Sequence, residues 1–299
     1  MTIPRIWRAF GKAVRDLDQK HLLAFAGGLA YYFFISLFPL LIFLASVVSF
    51  LPIPGLFDQI LELMALFVPG DSMALLSRVL GEIMSTRDTT FLSLGLIGTL
   101  WSMSGGFAGM IDALNVAYDV REGRNFLMVR LLAIALALLV GALVMVVLAA
   151  MLVGPRFADW IAYQLGLDPV VTVTWLYFRW FVAVAFATLA VELIYYFGPN
   201  VEQRKFIRTV PGALIAVGLW VGASYLFGLY LQHFAQYSKT YGTLGAVVAL
   251  LFWFYISSSA LLIGAEINAE LIRQARERLP VKEVPPDGQV ATPSISKAG

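Results

Sequence analysis

Cysteine is absent from this sequence, and histidine occurs only twice, at His21 and His233. The first absence excludes disulfides, thiolate metal centres and cysteine nucleophiles. The second leaves no histidine-rich metal motif. Charge is also scarce: Asp, Glu, Lys and Arg make up 13% of the 299 residues, with a net charge of +2. There is no P-loop, no nucleophile elbow, and no basic domain interleaved with aromatics of the kind that binds RNA. What is abundant is apolar. Hydrophobic residues reach 60% and the mean hydropathy is +0.82, outside the range of soluble domains. The composition is that of an integral membrane protein.

A bilayer core takes about 20 mainly apolar residues to cross as a helix, at about 1.5 Å per residue. Six stretches qualify, near Leu29 to Leu51, Phe91 to Ile111, Leu131 to Val153, Trp175 to Phe197, Thr209 to Leu231 and Thr243 to Ile267. The fold class is therefore all-α, a six-span helix bundle over residues 21–272. Residues 1–20 precede it as a basic amphipathic segment, and residues 273–299 follow as a tail. The first apolar run is much longer than a signal-peptide core and lacks a small-residue cleavage site, so it is expected to remain as a span.

Cytoplasmic loops retain an excess of Lys and Arg. Sixteen of the 21 basic residues fall in the N-terminal segment, the loops after spans 2 and 4, and the C-terminal tail. Both termini are therefore expected in the cytoplasm, and His21 and His233 on opposite sides of the membrane.

Trp7, Phe10, Val14 and Leu17 recur at helical spacing, as do Arg5, Arg8, Lys12 and Arg15 on another side. This pattern suits a short helix lying on the anionic leaflet. Residues 56–84 read as two amphipathic helices separated by Pro69 and Gly70, and residues 154–174 as a second outer excursion anchored by Trp160 and Tyr163. The Pro, Gly and Ser content after Leu279 predicts a disordered tail. Gly105 with Gly109, and Gly218 with Gly222, form GxxxG pairs suited to close helix packing within the chain.

Polar residues within apolar spans face a bundle interior or a wet cavity, because exposure to hydrocarbon is costly. Glu192 is the clearest case, about 8 Å inside the end of span 4 on the helical rise. Asp112 and Glu266 fall on the same side of the membrane, with Asn115, Asn200 and Asn268 nearby. Together these carboxylates predict a cytoplasm-facing vestibule that binds protons or a cationic group; the alternative is that Glu192 pairs with Arg204, Lys205 or Arg208, or accepts hydrogen bonds from tyrosines, and fastens helix ends. In span 1, Tyr31, Tyr32 and Ser36 precede Pro39. Proline removes a backbone donor, so a kink near Ile35 and Ser36 is expected, with the Ser36 hydroxyl serving a freed backbone group. On the outer face, Lys239 and Tyr241 could attract an anionic headgroup or anchor the interface.

The segments "LAYYFFISLFPLLIFLASV" (29–47), "DALNVAYDVREGRNF" (112–126), "YYFGPN" (195–200), "TVPGALIA" (209–216) and "YSKTYGTLGAVVALLFWFYISSSALLIGAEINAEL" (237–271) are similar, in order and spacing, to those of a known family. The chain resembles the YihY/virulence factor BrkB family of bacterial inner-membrane proteins, part of which has carried a ribonuclease BN label. The resemblance covers roughly residues 20–272 and implies a six-span inner-membrane protein. Phosphodiester cleavage needs a metal-carboxylate cluster, paired histidines or another positioned acid and base. The sequence offers little of this, so direct ribonuclease activity is not expected.

The expected function is that of a non-enzymatic transporter or lipid-handling protein, requiring no cofactor or metal and binding no nucleic acid. The alternative is a structural or assembly factor of the cell envelope. Membrane lipids are the expected partners, with room for a second copy of the chain or an envelope protein.

Overall fold

The structure, a computed structural model, describes residues 11–13, 15–50, 77–78, 81, 89–152, 164, 170–201, 209–233 and 235–276. Six long helices account for most of these: α1 (Leu22–Phe50), α2 (Thr89–Ala117), α3 (Phe126–Leu152), α4 (Val170–Phe197), α5 (Val210–His233) and α6 (Ala235–Arg276). Each contains a stretch long and apolar enough to cross a membrane. The regular elements among the described residues are all helical. The expected all-α, six-span architecture is therefore present.

Consecutive helices pack side by side, and α6 returns to pack on α1, closing the six into a ring. The α1–α2 seam is the most extensive and the α4–α5 seam the least extensive of those between consecutive helices. Small residues explain the first. Gly105, Gly106 and Gly109 of α2 lie beneath the rings of Tyr32 and Phe33 and the side chain of Leu29 in α1. The Gly105 and Gly109 pair thus packs within the chain, as expected. Gly218 and Gly222 do not pack on any of the described residues, since a Cβ at either would meet nothing within 4 Å there. A GxxxG pair sets the width of a helix face but leaves open which way that face turns.

The closest crossing uses glycines outside that motif. At Gly264 of α6, a Cβ would stand 2.5 Å from the carbonyl oxygen of Gly212 in α5 and 2.6 Å from the Tyr195 hydroxyl of α4. Only a residue without a Cβ lets these three helices meet there. The buried core, including Leu22, Met110, Ile111, Leu114, Tyr195 and Leu262, gathers toward the same end of the ring. Outward-facing residues such as Phe181, Trp180 and Tyr225 are more than 60% exposed, as lipid-facing side chains must be.

The helix α1 runs uninterrupted through Pro39. The Ser36 hydroxyl donates to the Phe33 carbonyl at 2.8 Å, one turn back, rather than to the carbonyl that proline leaves free. Gly98 of α2 makes room for the proline ring: a Cβ there would lie 3.2 Å from the Pro39 Cβ. The N-terminal helical residues also differ from the expectation of a helix lying on the leaflet. Ala13, Asp16 and Leu17 are buried, Ala13 against Ile267 and Leu271 of α6. Trp7, Phe10 and Val14 lie outside the described residues, as do most of 56–84, most of 154–169 and everything after 276.

Candidate functional site

The start of α1, the end of α2, the start of α3, the end of α4, the start of α5 and the end of α6 meet at one end of the ring. Three polar assemblies occupy it.

The first surrounds Glu266, which is fully buried. Lys20 donates to both of its carboxylate oxygens at 3.0 Å and also to the Ala117 carbonyl at 2.8 Å. Arg273, two helical turns on, donates to Glu266 at 2.5 Å and to Asp119 at 2.8 Å. Arg273 also pairs with Asp16 at 3.3 Å, while Lys12 pairs with Glu270 at 2.9 Å. Asp119 reaches this network because α2 ends in a Schellman turn. The Val120 N–H bonds to the Asn115 carbonyl and the Asp119 N–H to that of Val116, with Asp119 at φ 54°. Aspartate tolerates this left-handed position better than most residues that carry a Cβ.

The second assembly centres on Glu192, 2% exposed. The Thr209 hydroxyl at the start of α5 donates to one of its oxygens. The other oxygen is buried with no hydrogen-bond partner among the described residues. Asn268 of α6 ties the same corner together: its side-chain N–H donates to the Thr209 carbonyl at 2.6 Å, and its oxygen accepts from the Gly212 N–H at 2.8 Å. The Tyr195 hydroxyl donates to the Leu261 carbonyl at 2.5 Å. Tyr118, just past α2, faces this region. Burial, the largest effect, raises its pKa above the usual phenol range; Asn268 opposes this, and the charges of Glu192 and Glu266 add to it. Tyr118 therefore keeps its proton at neutral pH.

The third assembly joins the α2–α3 loop to the end of α4. Arg124 holds Glu122 with two side-chain bonds of 2.8 and 2.7 Å and donates to the Gly198 carbonyl at 2.7 Å. Asn115 donates to Glu122 at 2.8 Å and accepts from the Asn200 N–H at 2.8 Å. The Arg124 side-chain bonds, foremost, hold the Glu122 carboxyl down to about 2.

These three carboxylates thus have separate surroundings. Glu192 lies in the hydroxyl and amide corner, Glu266 in the ionic network, and Asp112 in neither. Asp112 is exposed and lines a crevice of about 410 Å³ between α1 and α2, with Phe25, Gly28, Leu29, Tyr32 and Gly109. Tyr32 is 44% exposed there, whereas Tyr31 is 60% exposed beside it. Lys239 and Tyr241 lie in the first turns of α6, which begins before the expected start of span 6; their side chains lie outside the described ones. Arg204, Lys205 and Arg208 also lie outside the described residues. Among the described residues, no group of three or more His, Cys, Asp or Glu is placed to hold a metal ion.

In the sequence, Lys20 and Arg273 stand out only as orientation charges, and Thr209, Gly212 and Gly264 do not stand out as site residues. The seven-residue spacing from Glu266 to Arg273 was a usable signal for a shared helix face. Nothing local links Lys20 to Glu266, 246 positions away.

The virulence factor BrkB family model matches residues 13–287, nearly the whole chain. The chain belongs to this family. A Bacillus subtilis (strain 168) protein named as the ribonuclease-like protein YfkH is 34% identical over 252 residues, covering 84% of this chain and 90% of its own length. A UPF0761 membrane protein of Tolumonas auensis is 27% identical over 276 residues, covering 89% and 88%. One from Aeromonas salmonicida is 27% identical over 259 residues, covering 84% of both chains. No solved structure matches. Six apolar helices and this membership together make the protein an integral membrane member of the BrkB family.

Proposed function

We propose that the protein is a non-enzymatic transporter or lipid-handling protein of the bacterial inner membrane, with its basic end and both termini in the cytoplasm. Of the two activities, lipid handling has the better support. The observation that carries it is the crevice between α1 and α2. Its lining comes from two adjacent spans alone, and it is apolar except for Asp112 and the Tyr32 hydroxyl. A carrier of polar solutes needs a polar site in the middle of the bundle. A mainly apolar groove on the seam of two adjacent spans suits an apolar ligand instead, and in a bilayer the available one is lipid. The excess of Lys and Arg at the end bearing Asp112 supports the orientation.

The test is transbilayer movement of a fluorescent phospholipid in vesicles containing the purified protein, read by quenching from outside. Wild type is expected to speed the movement, and Gly28→Phe, which fills the crevice, to slow it. Equal rates with and without protein reject lipid transfer. A second reading, an envelope assembly factor, draws on the ionic network around Glu266, which fastens the N-terminal helical residues to α2 and α6. That is the kind of closed core an accessory protein has.

A further inference from the structure

Asp112 is a carboxylate inside a membrane-spanning helix, five residues before the end of α2 and so about 8 Å from it along the axis. It is exposed, and no described side chain bonds to it. The charges that act on it most, Glu122 and Arg124, are bonded to each other, with Arg124 also held by the carbonyls of residues 197 and 198. Arg124, the cation that acts on it, is thus committed to Glu122 and to those carbonyls, and does not bond to Asp112 itself. An exposed carboxylate within a membrane-spanning helix is costly unless something cationic visits it.

The crevice below indicates what shape that visitor has. From Asp112 it runs along α1 toward Tyr32, an apolar floor formed by Leu29 and Gly109, with Gly28 leaving open space where any side chain would intrude. Asp112 lines the end nearest the helix termini, beside Ala24 and Phe25, and the Leu29, Tyr32 and Gly109 surface lies deeper. This is the arrangement of a phospholipid in its own leaflet, cationic head at the interface and chain within.

We infer that the α1–α2 crevice binds a phospholipid whose headgroup carries a primary ammonium, with Asp112 accepting the ammonium hydrogen bonds and the Leu29, Tyr32 and Gly109 surface holding the upper part of an acyl chain. This rests on the lipid-handling reading and adds the headgroup. A choline headgroup carries the charge but no N–H to donate, and a glycerol headgroup leaves a net negative lipid that Asp112 repels.

The experiment extracts the full chain from vesicles made of equal parts phosphatidylethanolamine, phosphatidylcholine and phosphatidylglycerol. Retained lipid is then identified by mass spectrometry of the intact complex, for wild type, Asp112→Asn and Gly28→Phe. Wild type is expected to enrich phosphatidylethanolamine about threefold over the other two, the ratio typical of a partly exposed ion pair. Asp112→Asn should erase that preference while retaining the same amount of lipid. Retention without headgroup preference in wild type, or a preference that survives Asp112→Asn, overturns the ammonium assignment and leaves the lipid reading standing. Undiminished retention in Gly28→Phe removes the crevice itself as the lipid site. Both positions are exposed and a Cβ at Gly28 meets nothing within 4 Å, so both variants should keep the fold.

Discussion

Glu266 and Glu192 are enclosed to the same degree, 0% and 2% exposed, yet their surroundings are opposite. Glu266 receives a lysine and an arginine, and its oxygens are fully bonded. Glu192 receives one hydroxyl and keeps an oxygen unbonded. The difference follows from what converges on each. The N-terminal helical residues, the turn after α2 and the last turns of α6 bring Lys20, Asp119 and Arg273 to Glu266. Glu192 lies on the looser α4–α5 seam, where Thr209 and Asn268 supply neutral groups. Burial alone does not say whether a carboxylate is a fastener; the groups around it do.

The most severe break should be Glu266→Gln, which removes the buried anion that Lys20 and Arg273 share and leaves them only the more exposed Asp119 in common. Removing one partner of a buried pair costs on the order of 3 to 5 kcal/mol, and because both cations keep other anions the low end, about 3 kcal/mol, is expected here. Unfolding in detergent should show a loss of that size, and a loss below about 1 kcal/mol would contradict the fastener role. Next comes Gly264→Ala, whose methyl meets backbone and the Tyr195 hydroxyl; overpacking of this kind costs roughly 1 to 3 kcal/mol. Gly222→Ala, with open space around it, is the matched control and should leave unfolding unchanged.

A smaller effect belongs to Glu122, outside the spans. Its carboxyl is lowered from 4.5 to about 2, so its stabilisation is present above about pH 4.5 and fades as pH falls toward 2. The loss should be on the order of 2 kcal/mol and absent in Glu122→Gln, as followed by acid unfolding of the two proteins side by side. The smallest effect should be Glu192→Gln, within about 1 kcal/mol of wild type or stabilising, because no ion pair to Glu192 occurs among the described residues. A drop as large as that of Glu266→Gln would erase the contrast between the two glutamates and show that Glu192 also serves as a fastener.

Much of the fold was legible because the signals for it are local. Six apolar runs, each near the length of a bilayer crossing, specify six helices whatever their neighbours. The site was legible only in kind. Glu192, Glu266 and Asp112 stand out as charges in apolar runs, but sequence suggested one vestibule where the structure has three separate environments. Pro39 likewise marks a special point of α1, but that the helix continues through it beside Gly98 of α2 is visible only in the tertiary structure.

The sequence by itself determined the membrane environment, the number of spans and the end at which positive charge collects, because hydrophobicity and charge act residue by residue along the chain. Tertiary structure alone decided which glutamate is paired, which glycines touch and where Asp112 faces. Those outcomes depend on groups such as Lys20 and Glu266 or Gly212 and Gly264, far apart in sequence and adjacent only after the ring has closed.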